Sequence, residues 1–154
     1  MTIKIRKATL KDLEEIKKLN QELFNYDFKF DKTLDLEWPS KNKDYYKKRI
    51  TGKDSITLIA EDEKKIVGYL IGVIVEGEGY RNIKKIAELE NMFISENYRR
   101  KGIGKSLIIN FINWAKGENV KKIKVVASAK NNCAIELYKK SGFSDHNLVL
   151  EANT

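Results

Sequence analysis

The sequence has 154 residues, a length that suits one domain around a single core, so we treat residues 1–154 as one domain. Apolar residues make up 42% of the chain and charged residues 34%, and no apolar run approaches the ~18 residues needed to cross a bilayer. The charged amino terminus lacks the apolar centre of a signal peptide. A single cysteine excludes an internal disulfide framework, and a single histidine leaves no His/Cys metal cluster. We therefore expect a soluble, reduced, cytoplasmic protein without a metal.

The net charge of +8 has two interpretations that composition leaves open. A basic surface attracts polyanions, such as nucleic acid or a cofactor that carries phosphate groups. Alternatively, the lysines only keep the surface solvated, because most of them are scattered among acids, as in residues 10–22. Nucleic acid is the weaker option, since the chain has no basic motif interleaved with aromatic residues. One basic cluster, residues 99–105, contains no acid.

The first third of the chain is predicted to be a strand followed by two helices. Residues 2–7 alternate as a strand does, and Thr9 with Asp12 has the spacing of a capping box at a helix start. Residues 27–40 are predicted to be irregular, and a short helix is predicted over 44–50. The first helix has an apolar stripe at spacings of three and four, formed by Leu10, Leu13, Ile16, Leu19 and Leu23.

The rest of the chain alternates strands with helices, which indicates a mixed α/β domain without repeats or linkers. Two antiparallel strands and a third strand come first, and each of the next two strands follows a helix. The predicted elements are strands at 55–60, 66–75 and 86–94, a helix at 102–117, a strand at 122–127, a helix at 132–140 and a last strand at 148–151.

The most informative segment is Y-R-R-K-G-I-G-K-S-L, residues 98–107, between a predicted strand and a predicted helix. Four of its residues are cations, and Gly102 and Gly104 leave the backbone bare where it turns into the helix. Free N–H groups at a helix start bind anions, so this pattern indicates a pyrophosphate site, with a basic helix cap as the alternative. A P-loop would need glycine at Arg99, and a dinucleotide fingerprint would need it at Leu107, so neither applies.

A second string, N-N-C-A-I-E-L-Y-K-K-S-G-F, covers residues 131–143 and follows a predicted strand. With Arg99-x-x-Gly102-x-Gly104 before it, the sequence resembles the GNAT superfamily of N-acetyltransferases. The order of elements agrees from Ile3 to Glu151. In the second string the family pattern is carried by Asn131, Ala134, Leu137, Tyr138, Gly142 and Phe143.

The resemblance implies an α/β fold with a mixed, mostly antiparallel central sheet and helices on both faces. The sheet should splay between the strand at 86–94 and the strand at 122–127. The backbone beside this gap would bind the pantetheine arm of acetyl-CoA, and the basic turn its pyrophosphate. The implied cofactor-binding residues are Met92, Phe93, Ile94, Arg99, Arg100, Lys101, Gly102, Ile103, Gly104, Lys105, Ser106, Asn131, Ala134 and Tyr138.

The resemblance also implies an N-acetyltransferase that moves an acetyl group from acetyl-CoA to a primary amine by direct attack in a ternary complex, releasing CoA. Tyr138 matches the family's usual acid for the departing thiolate. An alkyl amine has a pKa near ~10 and must lose a proton before it attacks. We predict Glu90 as the base, acting through an ordered water. Glu88 shares its strand face, and a bulge could exchange their roles; pairing with a neighbour such as Lys124 would instead make Glu90 structural.

The sequence departs from the family pattern in three places. The family often has proline at Glu96 and glycine at Arg100, and neither change threatens the pyrophosphate site. Residues 144–147 alone separate Phe143 from the last predicted strand, fewer than the family commonly has. This leaves open a reduced acceptor wall, or a homodimer in which the second subunit supplies part of that wall.

The acceptor itself is left open between a small-molecule amine and a protein amino group. Acids within the predicted irregular segment favour a cationic small molecule, although a solvated loop would have the same composition. Two other functions also remain open: a non-catalytic acetyl-CoA sensor and a nucleic-acid-binding protein. The acids are Asp27, Asp31, Asp35 and Glu37.

Overall fold

The computed structural model describes residues 1–154, which form a five-stranded sheet with flanking helices. No helix combines the length and the apolar character that crossing a bilayer requires. The strands are β1 (Ile3–Lys7), β2 (Ser55–Asp62), β3 (Lys65–Glu76), β4 (Lys85–Ile94) and β5 (Ile123–Val125). The helices are α1 (Leu13–Asp27), α2 (Trp38–Lys41), α3 (Lys43–Thr51), α4 (Ile103–Gly117) and α5 (Asn132–Lys140).

The strands lie in the sheet in the order of the sequence. Strands β1 to β4 are antiparallel to their neighbours, and β5 is parallel to β4. Helices α1 and α3 cover one face of the sheet, and α4 covers the other. The predicted mixed, mostly antiparallel sheet with helices on both faces is therefore confirmed.

The apolar stripes of α1 and α4 account for the two cores. Helix α1 buries Leu13, Ile16 and Leu19, whereas Leu10 lies outside the helix and is half exposed. The predicted irregular segment contains the one-turn helix α2, whose first turn accommodates Pro39. On the opposite face α4 packs on the sheet through Ile103, Leu107, Ile108, Phe111 and Ala115.

Strand β4 changes its pairing at Glu90. Asn91 lies opposite Ile71 and Leu89 lies opposite Gly72, so Glu90 is the extra residue of a β-bulge. Gly72 is required here, because a Cβ on it would lie 2.5 Å from the Phe111 ring of α4.

Strands β4 and β5 separate at the same level. Their pairing runs from Ala87 opposite Ile123 to Leu89 opposite Val125 and goes no further. Beyond Leu89 the last five residues of β4 lack a neighbour on that side. The predicted splay is therefore confirmed, with a β5 shorter than the predicted 122–127.

The strand predicted at 148–151 does not form, and the chain after Phe143 has no helix or strand. Leu148, Val149 and Leu150 are 76%, 79% and 83% exposed. A strand is stable only when a neighbour pairs with its backbone and one face is buried, and this segment has neither. That part of the prediction was wrong, and the homodimer stays a prediction.

Candidate active site

The turn before α4 presents a row of free backbone donors. Arg100 and Gly102 both have positive φ, 60° and 81°, a backbone shape that turns successive N–H groups toward one side. The first N–H of α4 to bond within the helix is that of Ser106, which donates to the Gly102 carbonyl at 3.0 Å. None of the six N–H groups from Arg100 to Lys105 has an acceptor in the protein. This row, with the positive end of the helix dipole, is suited to a multiply charged anion.

The cations of this turn are available to such an anion. Arg100, Lys101 and Lys105 are exposed and form no ion pair. Ile103, in contrast, is 3% exposed and belongs to the α4 core, so only its backbone faces the turn. A Cβ on Gly104 would lie 3.1 Å from the Leu137 side chain, so glycine here allows α4 and α5 to approach closely.

Arg99, predicted to contact the cofactor, points its side chain toward the opposite face of the sheet. Its Nε donates to the Ile94 carbonyl at 2.9 Å. Its guanidinium lies 5.0 Å from the centre of the Phe93 ring and 5.2 Å from that of Tyr26. These contacts fasten the turn to the end of β4 and to α1.

The backbone of β4 faces the gap left by β5 at alternate residues. The Ser95 N–H donates to the Val67 carbonyl of β3 at 2.8 Å. Because backbone groups alternate in direction along a strand, those of Phe93 also point to β3, and those of Met92 and Ile94 point into the gap. The Ile94 carbonyl already accepts from Arg99, so the gap offers an extended ligand the N–H and carbonyl of Met92 and the N–H of Ile94.

Helix α5 packs on α4 at Gly104 through Leu137, and Tyr138 packs against the same core as Met92 and Ile94 of β4. Asn131 caps the helix, because its Oδ1 accepts the Ala134 N–H at 3.2 Å. Tyr138 is half-buried, packs edge to face on Phe143 at 5.7 Å, and its hydroxyl has no hydrogen bond in the protein. Burial, with the nearby charge of Asp27, raises the pKa of Tyr138 to about 12. The side chain therefore stays protonated at neutral pH.

Glu90, the predicted base, is held by two residues of α3. Its carboxylate accepts from Arg49 Nε at 2.6 Å and Nη2 at 3.1 Å, and from the Tyr45 hydroxyl at 2.8 Å. Asn91 Nδ2 donates to the same Tyr45 oxygen at 2.9 Å. The hydrogen bond to Glu90 raises the pKa of Arg49, and burial raises that of Tyr45.

Glu88 is paired separately, with Lys124 of β5 at 3.6 Å. Lys124 is thus the partner of Glu88, and Arg49 is that of Glu90. Both carboxylates lie on the face away from α4, as the alternation predicts, and the bulge adds Asn91 to that face.

Asp27 is the last residue of α1, and its chain neighbour Tyr26 contacts Arg99, which donates to the Ile94 carbonyl at the end of β4. It is half-buried, and its carboxylate has neither a hydrogen bond nor an ion pair in the protein. Burial raises the pKa of Asp27, against a smaller opposing effect of Lys29. Its charge contributes to the raised pKa values of Tyr138 and Tyr69, which places it within electrostatic range of both hydroxyls.

The pattern of the Acetyltransferase (GNAT) family matches residues 13–143, from α1 to the end of the second motif. The chain belongs to this acetyltransferase family. The family assignment covers most of the chain and includes both the turn before α4 and the gap beside β4. The predicted resemblance is therefore confirmed.

Individual relatives of this family member agree with the assignment. It is 28% identical over 153 residues to an uncharacterized N-acetyltransferase of Methanocaldococcus jannaschii, covering 96% of this chain and 63% of the length of that relative. The BH1408 protein of Bacillus halodurans has the same fold, with a TM-score of 0.87 at 22% identity over 98% of this chain and 99% of that one. So does AAC(6')-Iy in complex with the bisubstrate analogue CoA-S-monomethyl-acetylneamine, with a TM-score of 0.80 at 16% identity over 100% and 99% of the two chains.

Sequence reasoning missed the α3 side of the candidate site. Tyr45 and Arg49 are one helical turn apart, so they project from the same side of α3. That spacing could have indicated a shared contact, but it could not identify Glu90 as the residue they contact. Asn20 was a clearer signal, since it falls on the apolar stripe of α1. It is 2% exposed, donates to the Tyr69 hydroxyl at 2.8 Å and accepts from the Tyr46 hydroxyl.

Proposed function

We propose that this protein is an acetyl-CoA-dependent N-acetyltransferase that acts on a primary amine in a ternary complex. The observation that carries the proposal is the row of six unpaired N–H groups from Arg100 to Lys105, which starts beside the β4 gap. Three exposed cations surround it, and a Cβ on Gly102 would meet nothing within 4 Å, so a pyrophosphate fits. Acetyl-CoA supplies an acetyl group activated as a thioester. The other chemical roles in the reaction belong to side chains and backbone groups of this chain.

The β4 gap would hold the extended arm of the donor. Met92 and Ile94 offer backbone groups at strand spacing, so a pantetheine amide can pair with them as an added strand would. The AAC(6')-Iy complex supports a ternary arrangement, because one ligand there joins CoA to an acetylated amine. In this chain the two parts of such a ligand would meet between β4, α1 and α5.

Tyr138 would act as the acid. Its hydroxyl is unpaired and protonated at neutral pH. A departing thiolate gains most from a donor that is already in place, because proton transfer from a positioned acid contributes about 10²- to 10⁴-fold to rate. The unpaired hydroxyl favours a catalytic protein over an acetyl-CoA sensor, since a packing tyrosine has no need of a free donor.

Glu90 stays a prediction as the general base. In this prediction an ordered water connects Glu90 with the amine, and both carboxylate oxygens of Glu90 already accept hydrogen bonds from α3. The role therefore requires that the amine or water approach a lone pair that Arg49 and Tyr45 leave free.

The experiment that tests the proposed function measures release of free CoA thiol from acetyl-CoA with a panel of amines. The panel holds aliphatic diamines and polyamines, aminoglycosides, and peptides with a free amino terminus or a lysine. Amine-dependent release above the amine-free rate, with the acetylated amine found by mass spectrometry, is the expected result. Calorimetric binding of acetyl-CoA without transfer to any amine would identify a sensor. Absence of both would overturn the proposal.

A further inference from the structure

The acids at the end of α1 and in the segment that follows differ in how they are used. Asp31 accepts from the N–H and hydroxyl of Thr33 at 2.9 and 2.6 Å. Asp35 accepts the Glu37 N–H at 2.9 Å, and Glu37 itself pairs with Lys41 at 2.6 Å. These three residues are exposed, whereas Asp27 is half-buried and unpaired. The structure thus singles out one carboxylate of the four.

The placement of Asp27 is unfavourable for the fold. It ends α1, where the negative end of the helix dipole repels a carboxylate. Half-burial without a partner adds a desolvation cost. A residue that costs stability in two ways is a candidate for function.

The groups that face Asp27 from neighbouring elements are mostly neutral. Tyr69 of β3 and Tyr138 of α5 are within its electrostatic range, and both stay protonated at neutral pH. Lys29, two residues along the chain, is the cation that acts on it, and the Lys29 ammonium lies 3.9 Å from the centre of the Tyr26 ring. Arg99 lies over the same ring but donates to the Ile94 carbonyl. A carboxylate in these surroundings is able to bind an incoming cation.

We propose that the Asp27 carboxylate binds the ammonium group of the acceptor and accepts its proton beside Tyr138. This inference rests on the proposed acetyl transfer, and it makes the acceptor an alkyl amine that arrives as a cation. Glu90 is then a positioning residue, which with Arg49 holds Tyr45 and Asn91 on the wall of the site.

The proton balance closes with the two side chains and solvent. The ammonium gives one proton to Asp27, and the free nitrogen lone pair forms the N–C bond to the acetyl carbon. The C–S bond breaks, its electrons remain on sulfur, and the Tyr138 hydroxyl protonates that sulfur. Asp27 then returns its proton to the Tyr138 oxygen, and the second nitrogen proton leaves to solvent. The products are the amide, CoA thiol and one released proton.

The first test compares Asp27→Asn with Asp31→Asn and Glu90→Gln, using the best amine of the panel. Asp27→Asn should lower kcat/KM at pH 7 by about 10²-fold and abolish the acid limb of the pH profile. The deficit should shrink toward pH ~10, where the amine is neutral without help. Asp31→Asn should stay within about twofold of wild type. An acid limb that persists in Asp27→Asn and disappears in Glu90→Gln would overturn the proposal in favour of Glu90.

The second test needs no turnover, so it also decides the case if no amine is acetylated and the proposed function fails. Calorimetry measures binding of 1,4-diaminobutane to the protein saturated with CoA. Binding that weakens about tenfold or more in Asp27→Asn, and not in Asp31→Asn, supports the site. Equal affinity in the two variants, or no binding to the wild type, overturns it. CoA affinity itself should be the same in all three proteins.

Discussion

The two sides of the candidate site are built from different parts of the chain. The proposed cofactor side consists of backbone N–H groups from six consecutive residues, Arg100 to Lys105, together with the free edge of β4. The proposed acceptor side consists of side chains from separate elements: Asp27 of α1, Tyr45 and Arg49 of α3, Glu90 of β4 and Tyr138 of α5.

This difference explains which side could be identified from the sequence. A backbone site needs glycines and a helix start at fixed spacing, and both are local features that a short string records. A side-chain site depends on how distant elements pack, as in the contact between Arg49 and Glu90, 41 residues apart. The proposed cofactor side can therefore be found from short strings of sequence, and the proposed acceptor side only from the fold.

The largest expected effect is at Tyr138, where the two sides meet. Tyr138→Phe keeps the ring and its contact with Phe143 but removes the hydroxyl, so kcat should fall by about 10²-fold. Affinity for acetyl-CoA, measured by calorimetry, should stay within about twofold. Tyr80→Phe is the matched control, because Tyr80 is 83% exposed. Wild-type turnover in Tyr138→Phe would make Tyr138 a packing residue.

The next prediction tests the backbone N–H groups of the proposed cofactor side. Gly102→Val should weaken acetyl-CoA binding by at least about tenfold, because a β-branched residue strongly disfavours φ of 81° and the N–H row would reorient. Gly104→Val would act differently, by displacing Leu137 and with it α5. Gly117→Val at the other end of α4, where a Cβ meets nothing within 4 Å, serves as the control. Unchanged affinity in a folded Gly102→Val protein would reject this placement of the pyrophosphate.

A third prediction concerns the acceptor wall as a structural unit. Glu90→Gln removes the charge that Arg49 binds through two hydrogen bonds, so the free energy of unfolding in urea should fall by about 1–2 kcal/mol. Glu88→Gln should cost less, about 0.5 kcal/mol, since Lys124 is 3.6 Å away and more exposed. Equal losses in the two variants would show that the α3 contacts add nothing specific.

The smallest predicted effect is a gain in stability rather than a loss. Asp27→Asn should raise the free energy of unfolding at pH 7 by roughly 0.5 kcal/mol, since it removes a charge from the negative end of α1. The pKa of Asp27 is raised in the folded state, so the wild type loses stability as pH rises from the unfolded value near ~3.9 through the higher folded value. The gain from asparagine should therefore be complete above that window and absent near pH 3. Destabilisation at pH 7 would mean that Asp27 supports the fold.

The sequence predicted the elements that have a clear period and failed where tertiary pairing decides. Helix α4 and strands β2 to β4 were predicted because their apolar residues recur at helical or strand spacing. The last predicted strand has equally strand-like residues, but Leu148 to Leu150 find no neighbour in this chain. The free carboxylate of Asp27 was indistinguishable from those of Asp31, Asp35 and Glu37, because only the fold shows which acids have partners.

The extra residue at position 90 makes β4 a strand with two phases. Before the bulge the odd-numbered residues Ala87 and Leu89 contact the α4 core. After the bulge the even-numbered residues Met92 and Ile94 contact it. A deletion of Glu90 would join the phases into one continuous alternation. Met92 and Ile94 would stay on the α4 face, and Asn91 and Phe93 would stay on the opposite face, so the deletion would remove Glu90 alone. The extra residue therefore adds one polar side chain to the face toward α3, where Glu90 and its chain neighbour Asn91 both bond the Tyr45 hydroxyl.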